Sequence, residues 1–248
     1  MRVLVIQNYR DTGLGLVGTA LAERGAAVDI LHAYRGDALP ETPEAYDALV
    51  VLGGAQNALD DEKCPYFAAL LALTRAFTGE GKSVLGICLG SQLLARAYGG
   101  DNQIGGFEEF GWQGVELTEA AADDAVFGGL PPQFPIFQWH DDTFTLPAGA
   151  VRLAGNAIAA NQAFRIGRAG YGIQFHFEAD ADLVRAWSVD FASTIAARHP
   201  DWAGRLDEEA ERLGPAADAT GLAIARAWVR TIRPAATLPQ PTRIATVA

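Results

Sequence analysis

The sequence predicts an α/β fold: a central, mainly parallel sheet with helices on both faces, and a small helical extension at the C-terminus. Three observations carry this. Short apolar runs alternate along the chain with segments whose apolar residues recur at helical spacing, the signature of βαβ units. The apolar runs are continuous rather than alternating, as strands covered on both faces require. A chain of 248 residues is long enough for one large domain with its own core.

The elements follow in order. Val3–Gln7 is the first strand candidate, closed by Asn8, Arg10 and Asp11. Its apolar run is too short for a leader peptide, and no run approaches the roughly 20 residues that span a bilayer. Leu14–Arg24 reads as a helix ending at Gly25, and Val28–Leu31 as the second strand. Ala48–Leu52 is the third strand, broken by Gly53-Gly54. Pro65–Thr78 reads as a helix, Ser83–Ile87 as the fourth strand and Leu89–Tyr98 as the next helix. Gly105–Thr118 and Pro131–Leu153 are rich in Gly, Pro and aromatics and read as hairpins or long loops added to the sheet. Tyr171–Phe177 is a further strand. Leu183, Trp187, Phe191 and Ile195 mark an amphipathic helix. Trp202–Leu213 and Ala216–Ile232 read as two more helices. The expected division is a main domain over 1–195, a helical extension over 196–233 and a tail over 234–248.

Charge narrows the function. Nineteen Lys+Arg stand against thirty Asp+Glu, a net charge of −11. Between Ala97 and Val151 there are nine acids and no Lys or Arg. Such a surface repels phosphate backbones and anionic membranes, so no nucleic-acid or membrane partner is expected. Two cysteines without a CxxC pattern suit a reducing, cytoplasmic setting, with a thiol free for chemistry. No metal or cofactor is implied.

Two glycine motifs compete for attention. Gly13-Leu14-Gly15-Leu16-Val17-Gly18 matches the dinucleotide pattern GxGxxG, but five residues separate it from the strand that should lead straight into it. The expected role is structural: a helix start capped by Asp11 or Thr12, with small residues that allow close packing. Gly86-Ile87-Cys88-Leu89-Gly90 is different. A strand precedes it and a helix follows, the layout of a nucleophile elbow with Cys in place of Ser. The turn strains the backbone at the nucleophile, and side chains two residues away on either side would clash, which accounts for Gly86 and Gly90. The sulfur then sits at a helix N-terminus, whose dipole favours a thiolate.

A thiolate needs a base. Among His32, His140, His176 and His199, His176 ends an apolar strand with Glu178 two residues on. The period of an extended chain puts both on one side, so Glu178 orients the imidazole. His140, in Gln138-Trp139-His140-Asp141-Asp142, is the competing base.

Gly86-Ile87-Cys88-Leu89-Gly90-Ser91-Gln92 followed by Gln174-Phe175-His176-Phe177-Glu178 resembles the class I glutamine amidotransferase family. His176 lies 88 positions after Cys88, within that family's spacing. The Gly53-Gly54 turn resembles its glycine loop. Phe110-Gly111-Trp112, Trp139–Phe144 and Asn161–Phe164 resemble stand-alone members similar to the amidotransferase part of GMP synthase.

The resemblance implies a flavodoxin-like sheet and a set of roles. Cys88 attacks the side-chain amide of glutamine and forms a γ-glutamyl thioester; His176 moves the proton and Glu178 orients it. The N–H groups of Gly54 and Leu89 form an oxyanion hole. Gly53, Gln92, Trp139, His140 and Asp141 hold the substrate. Ser91 stands where many members have His, Phe177 where many have Pro, and the loop runs on as Ala55-Gln56. The implied substrate is glutamine or another γ-glutamyl compound. A synthase or other acceptor enzyme is the implied partner, because no phosphate-binding loop is present for ATP-driven transfer. The rival readings are a γ-glutamyl amine or peptide hydrolase, an idle regulatory domain, and a dinucleotide-binding oxidoreductase resting on Gly13–Gly18 alone.

Overall fold

The computed structural model describes residues 1–234, so most of the expected tail lies outside the described residues. The chain forms β1 (Arg2–Gln7), α1 (Gly15–Glu23), β2 (Ala27–His32), β3 (Ala48–Val51), α2 (Phe67–Gly79), β4 (Ser83–Ile87) and α3 (Leu89–Ala97). There follow β5 (Asn102–Gln103), β6 (Glu109–Leu117), β7 (Gln133–His140), β8 (Thr143–Phe144), β9 (Val151–Gly155), β10 (Ala163–Ile166) and β11 (Gly170–Ile173). Three helices close the described chain: α4 (Ala181–Asp190), α5 (Ala192–Arg198) and α6 (Trp202–Thr231).

Nine strands make one sheet in the order β2-β1-β3-β4-β11-β10-β9-β6-β7. From β2 to β11 neighbours run parallel; from β11 to β7 they run antiparallel. The parallel half is the expected α/β core, and the Gly- and aromatic-rich middle of the sequence supplies the antiparallel half. Strand alternation sorts the apolar side chains between the two faces. Val3, Val5, Val50, Leu85 and Ile87 join one core with residues of α1 and α6. Leu4, Ile6, Leu49, Val51 and Val84 join the other with residues of α2 and α3. Because β1, β3 and β4 are covered on both faces, they read as unbroken apolar runs.

The C-terminal region departs from expectation twice. The stretch Leu183–Ile195 is two helices, α4 and α5, meeting at Phe191. The two expected helices beyond it are one, α6, 30 residues long and running through Pro215. A proline ring inside a helix removes one hydrogen bond and crowds the preceding turn. Here burial on both sides of it holds the helix together: Ala210 and Gly214 before, Ala217, Ile224 and Trp228 after. Trp228 donates its indole N–H to the Val84 carbonyl, 3.3 Å away, and so ties α6 to β4.

Candidate active site

The candidate site sits at the carboxyl ends of the parallel strands, where open α/β sheets place their ligands. Cys88 joins β4 to α3 with φ 50° and ψ −110°, the one positive φ outside glycine among the described residues. Such a conformation costs about 1–3 kcal/mol and persists only where its surroundings enforce it. The enforcement is visible. A Cβ on Gly86 would overlap the Gly90 carbonyl, and a Cβ on Gly90 would overlap the Val51 carbonyl of β3. The Cys88 N–H is held by the Ile173 carbonyl of β11 at 2.9 Å. The buried Ser91 hydroxyl donates to the Cys88 carbonyl at 2.7 Å, which gives that side chain a structural use. Leu89 and Gly90 open α3, so their N–H groups have no acceptor within the helix.

His176 and Glu178 come together by a different route from the one expected. β11 ends at Ile173, and Phe177-Glu178 form a turn rather than a strand continuation. The turn brings His176 Nδ1 to 2.7 Å from Glu178 Oε1. Burial alone would lower the imidazole's pKa. The Glu178 carboxylate and the Cys88 sulfur together outweigh it, and the net result is a rise to about 10. Trp187 of α4 packs edge-on against the His176 ring at 5.2 Å and donates its indole N–H to the Asp11 carbonyl.

The first glycine string serves this same segment. No side chain caps α1; the expected Asp11 or Thr12 cap is not made, and Thr12 donates to the Tyr9 carbonyl instead. The Leu16 N–H at the start of α1 bonds the Glu178 carbonyl at 2.8 Å. Gly15 has φ 45°, and a Cβ there would overlap that carbonyl. The space a pyrophosphate would need is filled by the backbone of Glu178, which removes the dinucleotide reading.

The glycine loop lies beside both reacting candidates. A Cβ on Gly53 would touch His176 Cε1 at 3.4 Å and Cys88 Cβ at 3.5 Å. Gly54 is packed against Asn8, Leu89 and the Gln56 side chain. Asn8, fully buried at the end of β1, braces the loop: it donates to the Leu52 carbonyl at 2.6 Å and accepts from Gln56 Nε2 at 2.7 Å.

A cavity of about 480 Å³ opens onto this set. Cys88, His176, Gly54, Leu89, Gln92, Trp139, His140 and Asp141 all line it. Gln92 is buried and donates to Gln174 Oε1 at 3.2 Å. The Trp139 carbonyl lies 3.9 Å from Cys88 Sγ. His140 is turned away from the sulfur: Nδ1 faces the Asp142 carbonyl at 3.0 Å and Nε2 faces buried Glu109 at 3.2 Å. That arrangement removes it as the competing base and leaves it as a wall residue. His32 bonds Gln7, and His199 stacks on Phe110 at 4.1 Å. Among the described residues, no group of three or more His, Cys, Asp and Glu side chains is placed to hold a metal ion.

Several lining residues carry no sequence signal. Tyr9 lies in the loop after β1, and Trp187, Phe191 and Arg198 come from α4, the α4–α5 junction and α5. Helical spacing marks Trp187 and Phe191 as core, which hides their second face. Asn8 has the one usable cue, a polar residue closing the first parallel strand.

The fold and the elbow define a class of protein, and the comparisons agree with it. The profile of the family described as glutamine amidotransferase class-I matches residues 5–184. The chain belongs to that family. It is 32% identical to the glutamine amidotransferase-like protein YfeJ of Salmonella typhimurium over 166 residues, covering 65% of this chain and 69% of that one. It is 32% identical to one subunit of the glutamine-hydrolyzing GMP synthase of Haloarcula marismortui over 180 residues, covering 71% and 85%. It spans 30% of the longer GMP synthase of Aeropyrum pernix. A solved glutamine amidotransferase from Thermotoga maritima superposes with TM-score 0.83 at 29% identity, covering 93% of this chain and 97% of the other. No described helix is long and apolar enough to cross a membrane.

Proposed function

We propose that this protein is a cysteine-dependent glutaminase of the amidotransferase type, hydrolysing the glutamine side-chain amide to glutamate and ammonia. The observation that carries the reading is the strained Cys88 turn opening onto the same cavity as the His176–Glu178 pair. The Cys88 sulfur attacks the amide carbon, and the carbonyl electrons move onto oxygen. The N–H groups of Leu89 and Gly54 receive that oxyanion. Leu89 opens a helix, so its N–H is free and backed by the helix dipole. The His176 imidazolium gives its proton to the departing nitrogen, ammonia leaves, and a γ-glutamyl thioester remains. His176 then takes a proton from water, the hydroxide attacks the thioester, and the sulfur departs with glutamate released. Glu178 holds His176 through Nδ1, which presents Nε2 to the reacting atoms. Gln92, Trp139, His140 and Asp141 shape the substrate's seat from the cavity wall, and Gly53 supports it from beside His176 and Cys88.

In this reading residues 1–195 carry the chemistry and 196–233 form the extension. The protein works in the cytoplasm, and its ammonia passes to a synthase or other acceptor enzyme, as the relation to part of a synthase suggests. Glutamate release from glutamine by the purified protein, absent in Cys88→Ala, tests the proposal. A second reading, hydrolysis of larger γ-glutamyl amines, is favoured by the cavity. Its 480 Å³ falls in the range that takes drug-sized ligands, and Asp60, Asp141 and Asp142 on its wall suit a cationic amine. Running γ-glutamyl amines beside glutamine in the same assay separates the two.

A further inference from the structure

Among Asp, Glu, Lys and Arg, the cavity wall carries acids with one exception. Asp60, Asp141 and Asp142 line it, and Arg198 is the one Lys or Arg among its lining residues. Arg198 ends α5, beyond the segment that the family profile matches. Its guanidinium forms a two-pronged pair with Asp141, Nη1 on Oδ2 and Nη2 on Oδ1, and Nη2 also meets Glu108 at 3.0 Å. The pair is not sealed: the Arg198 side chain is 47% exposed and that of Asp141 34%. Five guanidinium N–H donors and four carboxylate lone pairs leave both partners with capacity to spare.

A γ-glutamyl substrate enters with an α-carboxylate and an α-ammonium on one carbon. The ammonium has Asp60, Asp141 and Asp142 on the cavity wall to choose from. The carboxylate finds one exposed fixed cation, Arg198, because His176 is bonded to Glu178 and the buried His140 ring lies between Glu109 and the Asp142 carbonyl. An Arg–Asp pair is the mirror of an amino-acid head group, cation to anion and anion to cation, and the guanidinium fork matches a carboxylate.

We propose that the Arg198–Asp141 pair is the receptor for the substrate's amino-acid head group, with Arg198 on the α-carboxylate and Asp141 on the α-ammonium. α5 is then the specificity element of the site. This rests on the reading that the cavity hydrolyses γ-glutamyl amides. The test compares glutamine with 4-aminobutanamide, which keeps the amide and the amine and lacks the α-carboxylate. In Arg198→Met the KM for glutamine should rise about 10- to 100-fold, the range for one hydrogen bond to a charged group, with kcat held within about threefold. The KM for 4-aminobutanamide should not change. Arg198→Lys, which keeps the charge and loses the fork, should fall between. An unchanged glutamine KM in Arg198→Met, or equal losses for both amides, would overturn the inference. Should the wild type hydrolyse neither amide, the reading of the chemistry fails, and calorimetry decides the inference separately. Glutamine binding to the wild type that disappears in Arg198→Met supports it; equal binding, or none to the wild type, sinks it.

Discussion

The family-matched segment, residues 5–184, and the helices beyond it build one site by different means. The first acts through backbone geometry. Cys88 is held at a positive φ by two glycines that no other residue could replace, and the Gly53-Gly54 loop lies against it. The second acts through side chains and packing. Trp187 faces His176, Arg198 reaches Asp141, and α6 lies on the turn that carries the His–Glu pair. Backbone-driven features leave a spacing pattern that a reader can find in one sequence. Side-chain walls leave none, because a tryptophan on an amphipathic helix looks the same whether it faces core or cavity. The difference also separates roles: the first region should govern whether the reaction occurs, the second how well and on what.

The largest effects should therefore fall in the first region. Cys88→Ala should reduce glutamate release to background, and a diazo-ketone analogue of glutamine should label Cys88 and spare Cys64, as read by mass spectrometry of digests. His176→Ala should cost about 10²–10⁴-fold in kcat, the usual worth of a positioned proton-transfer group. Glu178→Gln should cost less, since it orients the ring and moves no proton itself. Greater damage from His140→Ala than from His176→Ala would contradict the geometry, in which both ring nitrogens of His140 face away from the sulfur.

The second region should give a smaller loss with a distinct signature. Gly221 of α6 packs on the Phe177 carbonyl, and an added Cβ would overlap that oxygen while meeting Leu16 Cδ1 at 3.0 Å. Phe177 stands between His176 and Glu178, so any relief moves the pair. Gly221→Ala should lower kcat about tenfold with little change in KM and cost about 1–3 kcal/mol of stability, as overpacking does. Gly204 of the same helix has open space around it. Gly204→Ala should leave kcat alone and raise the melting temperature slightly, because alanine is the better helix former. Equal effects at both positions would erase the distinction between contact and propensity.

How far the sequence can be read follows the same line. The parallel strands, the elbow at Cys88 and the meeting of Cys88 and His176 at one cavity are legible, since each is written as an apolar run or a fixed spacing. The closeness of Glu178 to His176 is legible, though its cause is not: a turn does the work expected of an extended strand. The sequence splits α6 in two because Pro215 reads as a breaker, and only tertiary burial keeps the helix whole. The Gly13–Gly18 string reads as a helix start, and α1 does begin at Gly15. Its real use, receiving the Glu178 carbonyl, involves residues more than 150 positions apart and cannot be seen locally.

Proton linkage offers a milder probe of the His176–Glu178 pair. The folded-state pKa of His176 is raised above its ordinary 6.5 to about 10. Between those values the native state binds more protons than the unfolded one, so the stabilisation is full below about pH 6.5 and is lost as pH rises toward 10. The wild type's lead in melting temperature over His176→Gln should shrink across that window. A lead that grows with pH would mean that the pair does not hold an imidazolium.

The smallest effect on activity should come from the second cysteine. The sequence places Cys64 in a polar loop before a helix, Asp61-Glu62-Lys63-Cys64-Pro65, and predicts that its exchange for Ser is nearly silent. It is 3% exposed and belongs to the core cluster shared by α2 and α3. Burial pushes its thiol above the ordinary range, so at neutral pH it is protonated and a poor nucleophile. Cys64→Ser keeps the size nearly constant and exchanges a soft, weakly polar atom for a hydroxyl in a largely apolar cluster, with the Tyr66 hydroxyl as its polar neighbour. That exchange should cost about 1–3 kcal/mol of stability through an underpaired buried polar group, seen as a lower denaturant midpoint. Glutamate release should match the wild type within about twofold, because no part of Cys64 reaches the cavity. A variant that kept its stability and lost its activity would reverse both halves of this assignment, and would move part of the chemistry to the far side of α3.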